Sequence, residues 1–303
     1  MDKYIDIIKE KIDAKEIELV SETSNLVFKV TTNNNEIVYA KFYLNKSSHI
    51  DHELFLYDII DNDYLKEIVI NSNDPKFAVF KELKGKTIDE LSKEELHKYK
   101  EQIIDSVIYF YETISKTKVN GYGLLDIDLH GTSKTFEEFV INRQTDTEKI
   151  LKDYPVLNNA FSAIYDKYKD LISGDNSLVP IDTNAKNIMV TLDNKIKFID
   201  PGELISGPVL MGYGDFVAHT YKTELYDTLI SKLDLSPDDL KRLRIYAIFS
   251  SLNVLAFLKR IGVEDLTHVI PYGNTYAFYD LINEHLEELD INNAKKRLFR
   301  SFK

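Results

Sequence analysis

The sequence contains no cysteine, and this absence excludes several kinds of chemistry. Disulfide bonds, zinc sites built on thiolates and a cysteine nucleophile all require this residue. Long apolar runs are also missing, since the longest one, residues 245–258, is interrupted by Ser250, Ser251 and Asn253. A membrane-spanning helix needs about 20 apolar residues, and residues 1–6 do not form the apolar region of a signal peptide. We therefore expect a cytoplasmic protein.

Basic residues are too few to balance the acidic ones. Lys and Arg number 38 against 50 Asp and Glu, so the formal net charge is −12. Binding to nucleic acid or to anionic membranes requires a basic surface, so neither kind of partner is expected. An acidic protein can attract a cationic small molecule, although a surface that is acidic only for solubility is the commoner explanation.

The first part of the 303-residue chain, residues 1–83, has the pattern of a small lobe with a mostly antiparallel sheet. Apolar residues at helical spacing predict a first helix over residues 1–18. Two β-branched and aromatic runs predict a hairpin around an Asn-rich turn. The predicted strands are 25–32, 36–43, 67–70 and 77–80, and a short helix is predicted over 48–60.

The second part, residues 84–303, is mostly helical in pattern. Helical spacing begins at Ser92, and Thr135 with Glu138 fits a capping box at the start of another helix. Further helices are predicted over 158–173, 216–233, 237–260 and 274–289. One β-rich patch, 178–202, contains a second hairpin. The sequence thus predicts an α+β fold of two lobes, with the boundary after residue 83.

The second hairpin carries the residue types that phosphoryl transfer requires. Asp182 precedes Asn187 by five positions, and the next predicted strand ends at Asp200. One carboxylate can accept the proton of an attacking hydroxyl, while an amide oxygen and a second carboxylate can hold Mg²⁺ against phosphates. Taken alone, Asp182 and Asn187 also fit a hydrogen-bonded loop, because both residue types are common in turns.

The spacing Asp182-x4-Asn187, with Asp200 thirteen residues later, resembles the catalytic segment of the aminoglycoside phosphotransferase and choline kinase family. The resemblance covers residues 18–290 and implies a two-lobed, protein-kinase-like fold. It implies ATP- and Mg²⁺-dependent transfer of a phosphoryl group to a hydroxyl of a small molecule, with GTP as the alternative nucleotide. Asp182 is then the catalytic residue, and Asn187 and Asp200 hold Mg²⁺. An aminoglycoside-type antibiotic is the first substrate expected.

The same resemblance assigns nucleotide-binding residues to the first lobe. Lys41 resembles the strand lysine that contacts the nucleotide phosphates, and Glu53 is its implied ion-pair partner. Out of this context, a strand lysine and a helix carboxylate are more often solvated. Ser24 lies in a segment similar to the family's phosphate loop. Glu82 and Leu83 fall at the implied hinge, where backbone groups bind the adenine.

Two departures from the family pattern leave alternatives open. Pro180 stands where the family usually has a histidine, and the segment 21–25 lacks the usual glycine. Both departures favour a catalytically impaired nucleotide-binding protein as one alternative. A kinase of choline or of another small metabolite is the other, because every motif is compatible with it. The sequence does not specify the oligomeric state.

Three further features are expected to be structural. Asp215 is expected to bond the catalytic loop rather than to react. His49 and His52 are expected on the surface, because no third metal ligand is evident. The acidic stretch 284–290 is expected to be a solvated helix face, with contact to a cationic substrate as its alternative.

Overall fold

A five-stranded antiparallel sheet forms the first lobe in the computed structural model, which describes residues 1–22, 25–44 and 49–291. The strand order is β1-β2-β3-β5-β4. The strands are β1 (Ala14–Glu22), β2 (Asn25–Thr32), β3 (Ile37–Tyr43), β4 (Ile68–Asn73) and β5 (Lys76–Lys81). Helix α1 (Asp2–Lys11) precedes the sheet, and α2 (His49–Ile59) connects β3 to β4.

The two faces of this sheet bury different sets of side chains. Val38, Ala40 and Phe42 of β3 belong to the apolar cluster that also contains Ile8 of α1. Successive side chains of a strand point to opposite faces, so Lys41 and Tyr43 project from the other face, on which α2 packs. The strand pleat therefore turns Lys41 toward α2.

Residues 1–18 do not form one helix, and this prediction is wrong. Helix α1 ends at Lys11, and the chain from Ala14 pairs with β2. Helical spacing of apolar residues ends at Ile12, after which Ile17 and Leu19 alternate with glutamates. Period-two alternation is the pattern of a strand, and pairing with the apolar strand β2 stabilises it here.

Seven helices and two small sheets make up the described part of the second lobe. The helices are α3 (Lys93–Ser115), α4 (Phe136–Ile150), α5 (Pro155–Tyr168), α6 (Val209–Thr220), α7 (Glu224–Lys232), α8 (Pro237–Arg260) and α9 (Phe278–Glu288). The hydroxyl of Ser92 caps α3, and that of Thr135 caps α4 by accepting from the Glu138 amide at 3.1 Å. Both helix starts follow the sequence signals.

Helices α6 and α7 replace the single helix that was predicted over residues 216–233. Lys222 adopts a left-handed backbone conformation, with φ of 59°, and separates the two helices. No glycine or proline lies at this break. The apolar spacing therefore continues through a turn that local sequence does not reveal.

The predicted second hairpin is present as β10 (Ile188–Thr191) and β11 (Ile196–Phe198). The short strand β6 (Gly85–Thr87) pairs with β10 and completes a three-stranded sheet. A further sheet, which was not predicted, has the order β8-β7-β12-β9. Its strands are β7 (Tyr122–Leu125), β8 (Gly131–Ser133), β9 (Ser177–Pro180) and β12 (Leu204–Gly207).

The architecture confirms the predicted α+β, two-lobed fold, with a small antiparallel-sheet lobe and a larger, mostly helical lobe that carries a β-hairpin. The lobe boundary after residue 83 stays a prediction. No helix in the described part of the chain combines the length and the apolar character that crossing a membrane requires.

Candidate active site

Lys41 lies in a buried network of charges where the two lobes meet. Its Nζ atom is 3.3 Å from Oε2 of Glu53 on α2 and 2.5 Å from Oδ1 of Asp200, which follows β11. The hydroxyl of Tyr43 also donates to Oε2 of Glu53, at 2.7 Å. Lys41 and Glu53 are 6% and 1% exposed, so neither is the solvated residue that its local pattern would suggest.

The charges in this network compensate for burial. Burial alone would lower the pKa of Lys41, but the carboxylates of Glu53 and Asp200 raise it above its ordinary value. Burial alone would raise the pKa of Glu53, but the ammonium groups of Lys41 and Lys66 lower it to about 2. Both partners are therefore ionised at neutral pH.

Lys66 is a second lysine on Glu53, and sequence reasoning missed it. Its Nζ lies 3.2 Å from Oε1 of Glu53 and 3.7 Å from the centre of the Phe80 ring. Lysine is rarely buried unless it is paired, yet Lys66 is only 8% exposed. It stands beside Glu67 in a charged dipeptide, so nothing in the local pattern distinguishes it from a surface residue.

The loop between β9 and β10 places Asp182 and Asn187 side by side. Asp182 has a left-handed backbone conformation, with φ of 62°. The Nδ2 atom of Asn187 donates to the backbone oxygen of Asp182 at 2.7 Å and to its Oδ2 at 3.2 Å. The Nδ2 atom of Asn184 donates to Oδ1 at 2.8 Å. The carboxylate of Asp182 is thus oriented by two amide side chains.

Asp215 of α6 and Tyr111 of α3 form hydrogen bonds with Thr183 in this loop. Oδ2 of Asp215 on α6 accepts from the Thr183 amide at 3.2 Å, and Oδ1 accepts from Ser250 on α8 at 2.5 Å. The hydroxyl of the buried Tyr111 donates to Oγ1 of Thr183 at 2.7 Å. The geometry agrees with the expected structural role of Asp215. The loop is held in place although Pro180 provides no imidazole.

The β10–β11 hairpin brings Asn187 and Asp200 together. Asn187 immediately precedes β10, Asp200 lies two residues after β11, and the Ile199 amide donates to the backbone oxygen of Asn187 at 2.8 Å. Asp182, Asn187 and Asp200 line one cleft of about 210 Å³. Because Asn187 uses its amide nitrogen toward Asp182, its amide oxygen is left for another partner.

Asp182 and Glu203 have raised pKa values. Burial raises the pKa of Asp182, and the negative charge of Asp215 raises it further. Burial also raises the pKa of Glu203, to about 7, with the charge of Asp182 as the next cause. Glu203 directly precedes β12, and its backbone oxygen accepts from the Ile181 amide at 2.9 Å, which places it beside the loop that carries Asp182.

Arg143 of α4 acts electrostatically on Glu203. Its positive charge opposes the rise in the Glu203 pKa. The Nη1 atom of Arg143 is buried and has no hydrogen-bond partner among the described residues. Neither Arg143 nor Glu203 was predicted as a site residue, because their proximity depends on packing between α4 and the unpredicted strand β12.

Of the remaining predicted nucleotide-binding residues, the structure describes Glu82 and Leu83. The amide of Glu82 donates to the Ile37 backbone oxygen at 3.2 Å, and Leu83 follows it between the lobes. Ser24 lies outside the described residues. Strand β1 ends at Glu22 and strand β2 begins at Asn25, so the segment expected to bind phosphate connects them in the sequence.

His52 is buried, so its predicted surface position is wrong. It is only 2% exposed, and its Nε2 atom lies 2.9 Å from the backbone oxygen of Asp126 in the other lobe. It follows Asp51 and precedes Glu53, so it shares a helix turn that packs between the lobes. The side chain of His49 lies outside the described residues.

The acidic stretch 284–290 is engaged within the protein. Glu284 accepts from Tyr221, Lys222 and Tyr276, and Glu288 pairs with Arg244 at 2.7 Å. These contacts already neutralise the two carboxylates, so this helix offers less negative charge to a cationic substrate than its sequence suggests.

The two lobes, the lysine–glutamate pair and the hairpin with its loop define a protein-kinase-like fold. No protein-family model matches the sequence, and no curated protein matches it either. Solved structures do match, and those described below are small-molecule kinases of this fold, which confirms the predicted resemblance.

A thermostable mutant of aminoglycoside phosphotransferase APH(4)-Ia, in a ternary complex with ADP and hygromycin B, matches with a TM-score of 0.69 and 12% identity. The match covers 97% of this chain and 99% of that one. Choline kinase LicA from Streptococcus pneumoniae matches with a TM-score of 0.64 and 15% identity, covering 95% and 99%. The APH(2'')-IIa ternary complex with streptomycin and ATP matches with a TM-score of 0.56 and 14% identity, covering 95% of each chain.

Proposed function

We propose that this protein is a phosphotransferase that moves the γ-phosphoryl group of ATP to a hydroxyl of a small molecule. The observation that carries the proposal is that Asp182, Asn187 and Asp200 line one cleft, and that Lys41 of the first lobe pairs with Asp200 at this cleft. Lys41 is distant in the chain from the other three residues, and phosphoryl transfer requires this combination of groups. Several solved structures of the same fold contain adenine nucleotides, which supports ATP over GTP.

The first lobe binds and orients the nucleotide in this proposal. Lys41 contacts the phosphates, and Glu53 holds its ammonium group in place. Adenine contacts the hinge through the Glu82 carbonyl and the Leu83 amide, because the Glu82 amide is already bonded to Ile37. Ser24 stays a predicted contact of the phosphates.

The hydroxyl oxygen of the acceptor forms a bond to the γ-phosphorus of ATP, and Asp182 accepts the hydroxyl proton. The bond between the γ-phosphorus and the bridging oxygen of the β-phosphate breaks, and ADP leaves. The raised pKa of Asp182 makes this residue a better proton acceptor than an ordinary aspartate. The side chains of Asn184 and Asn187 fix its orientation. Positioning and charge stabilisation supply most of the rate acceleration in such reactions.

Asn187 and Asp200 fit a magnesium ion by their chemistry. Mg²⁺ prefers hard oxygen ligands, and the amide oxygen of Asn187 and the Oδ2 atom of Asp200 accept no hydrogen bond from another described residue. When bound, the ion neutralises charge on the transferred phosphoryl group. The Oδ1 atom of Asp200 is paired with the ammonium group of Lys41.

An aminoglycoside-type antibiotic is the first acceptor that we propose. APH(4)-Ia and APH(2'')-IIa are aminoglycoside phosphotransferases, and the net charge of −12 is compatible with a cationic acceptor. Choline or another small metabolite is the alternative, which the match to a choline kinase supports. A resistance phenotype follows only from the first of these acceptors.

A catalytically impaired nucleotide-binding protein is the competing function, and Pro180 is the observation that favours it. The hydrogen bonds of Thr183 with Tyr111 and Asp215 support an active phosphotransferase instead, because they hold the loop in place without a histidine.

The test is a coupled ADP-release assay with ATP and Mg²⁺ over aminoglycosides, choline, amino sugars and nucleosides. We expect turnover with one acceptor class, and its loss in Asp182→Asn. Nucleotide binding without acceptor-dependent turnover would favour the impaired protein. Absence of any nucleotide effect on the melting temperature would contradict both functions.

A further inference from the structure

Glu53 is balanced by two lysines rather than one. Lys41 approaches Oε2 at 3.3 Å and Lys66 approaches Oε1 at 3.2 Å. All three residues are buried, with exposed fractions of 6%, 8% and 1% for Lys41, Lys66 and Glu53. A buried charge is tolerated when it is paired and hydrogen-bonded, and Glu53 is the carboxylate that pairs with Lys66.

Lys66 changes the net charge of the group formed by Lys41, Lys66 and Glu53. Burial lowers the pKa of Lys66, and the negative charge of Glu53 opposes that fall. With both lysines protonated, the two lysines and Glu53 carry one net positive charge, and Lys41 is in direct contact with Asp200. Without Lys66, the Lys41–Glu53 pair would be neutral. An anionic ligand in the cleft would then meet no net positive charge from this lobe, and at low dielectric that difference is large.

The geometry gives Lys66 a second effect. Its ammonium group is ion-paired with Oε1 of Glu53, which accepts no hydrogen bond from a described residue, while Oε2 accepts from Lys41 and from the hydroxyl of Tyr43. The Lys66 ammonium also lies 3.7 Å from the centre of the Phe80 ring. The attraction of Lys66 for Oε1 therefore favours the carboxylate orientation in which Oε2 faces Lys41.

We propose that Lys66 is a positioning residue that gives the Lys41–Glu53 pair the net positive charge and the orientation needed to bind the phosphates of a nucleotide. The inference rests on the proposed function. Lys66 acts through Glu53 and touches no ligand itself. The adenosine part of a nucleotide carries no phosphate, so its binding does not depend on Lys66.

The experiment compares the dissociation constants of ADP with Mg²⁺ and of adenosine, measured by calorimetry on the full chain. In Lys66→Met we expect ADP to bind about tenfold more weakly, as loss of one buried charge near the phosphates predicts, while adenosine binds as in the wild type. Lys66→Arg keeps the charge and should restore ADP binding. Lys66→Gln, which keeps a donor without the charge, replaces the methionine variant if that variant does not fold.

The matched control is Lys76→Met. Lys76 of β5 pairs with Asp51 of α2 at 2.7 Å, so it also connects the sheet to this helix but does not touch Glu53. We expect Lys76→Met to leave the ratio of the two dissociation constants unchanged. An equal loss of ADP and adenosine binding in Lys66→Met, or no loss of either, would overturn the inference while the proposed function stands. Failure of the wild type to bind ADP would overturn both.

Discussion

At the scale of single residues, Asp182 differs from an ordinary loop aspartate in two ways. Its backbone is left-handed, which is uncommon for a residue other than glycine. Its carboxyl has a raised pKa, because the surrounding protein limits its hydration and the negative charge of Asp215 lies nearby, although part of the residue is exposed. Unusual backbone conformations and shifted pKa values occur together at functional sites.

Replacing Asp182 by Asn should separate catalysis from binding. The amide keeps the size of the side chain but cannot accept the hydroxyl proton, so we expect kcat to fall by at least about 100-fold. The dissociation constant of ADP should change by less than about threefold, because Lys41 and Asp200 are intact. Asp128→Asn, in an exposed loop of the same lobe, is the control. Residual activity near the wild-type level would exclude Asp182 as the proton acceptor.

Glu203 should make stability depend on pH. Its carboxyl has a pKa of about 7 in the folded protein, above the value of about 4.3 in an unfolded chain. The folded state therefore binds the extra proton between these values, and stability falls as pH rises from about 4 to about 7.

Glu203→Gln removes this dependence, so the variant should be more stable than the wild type at pH 8, by about 1–3 kcal/mol. Near pH 4 the two proteins should have the same stability. Denaturant unfolding at both pH values measures the difference. A variant that is less stable at pH 8 would show that the electrostatic attraction of Arg143 for Glu203 outweighs the cost of burial.

Sequence reasoning named Asp182, Asn187 and Asp200 because they lie within one short segment with a recognisable spacing. The structure brings them together, while their roles stay predictions. Lys66, Arg143 and Glu203 could not be found in this way. Their sequence neighbours resemble those of surface charges, and their burial results from contacts between elements that are distant in the chain.

At the scale of elements, α6 must approach α8 closely to place Asp215. A Cβ atom on Gly214 would lie 2.6 Å from Cβ of Tyr246 and 2.9 Å from the Ala247 nitrogen. Backbone at this distance cannot move aside as the end of a side chain can. Asp215, the next residue, thereby reaches both Ser250 and the Thr183 amide.

Gly214→Ala should force these two helices apart. We expect a loss of about 1–3 kcal/mol in unfolding free energy, as in other overpacked cores, together with lower kcat because the Asp215–Thr183 bond lengthens. Gly207→Ala is the control, since its new Cβ would meet the edge of the Phe136 ring at 3.2 Å, and that ring can shift. Equal losses in the two variants would argue against close packing at Gly214.

Helix α8 was predicted better than the four strands of the β8-β7-β12-β9 sheet. Helix α8 was predicted with its observed bounds, because 24 residues show many turns of apolar spacing. The strands β7, β8, β9 and β12 have only three or four residues each, too few to show alternation. Their pairing depends on partners from separate parts of the chain, which no local pattern reveals.

At the scale of the whole molecule, the ion pair between Lys41 and Asp200 joins the two lobes. A ligand that contacts both residues would stabilise the folded chain by mass action. We expect ADP with Mg²⁺, at 100 times its dissociation constant, to add about 2.7 kcal/mol to the unfolding free energy.

Asp200→Ala should make this stabilisation independent of Mg²⁺, because the variant lacks one proposed metal ligand. The measurement is the melting temperature with ADP, in the presence of Mg²⁺ and in the presence of EDTA. Asp193→Ala, in the exposed turn of the same hairpin, should retain the difference between the two conditions. A Mg²⁺ effect of full size in Asp200→Ala would exclude this residue as a ligand.

The connection between the lobes leaves very little backbone free to rotate. The amide of Glu82 is bonded to β3, while the carbonyl of Lys84 accepts from Leu192 and the next three residues pair with β10. Only Leu83 stands between these two anchors. Opening of the cleft would therefore bend this connection at Leu83, and it would also have to break other contacts between the lobes, such as that of His52 with Asp126. Because β6 pairs with β10 shortly after Leu83, the β10–β11 hairpin would keep its distance from the hinge backbone during such a motion.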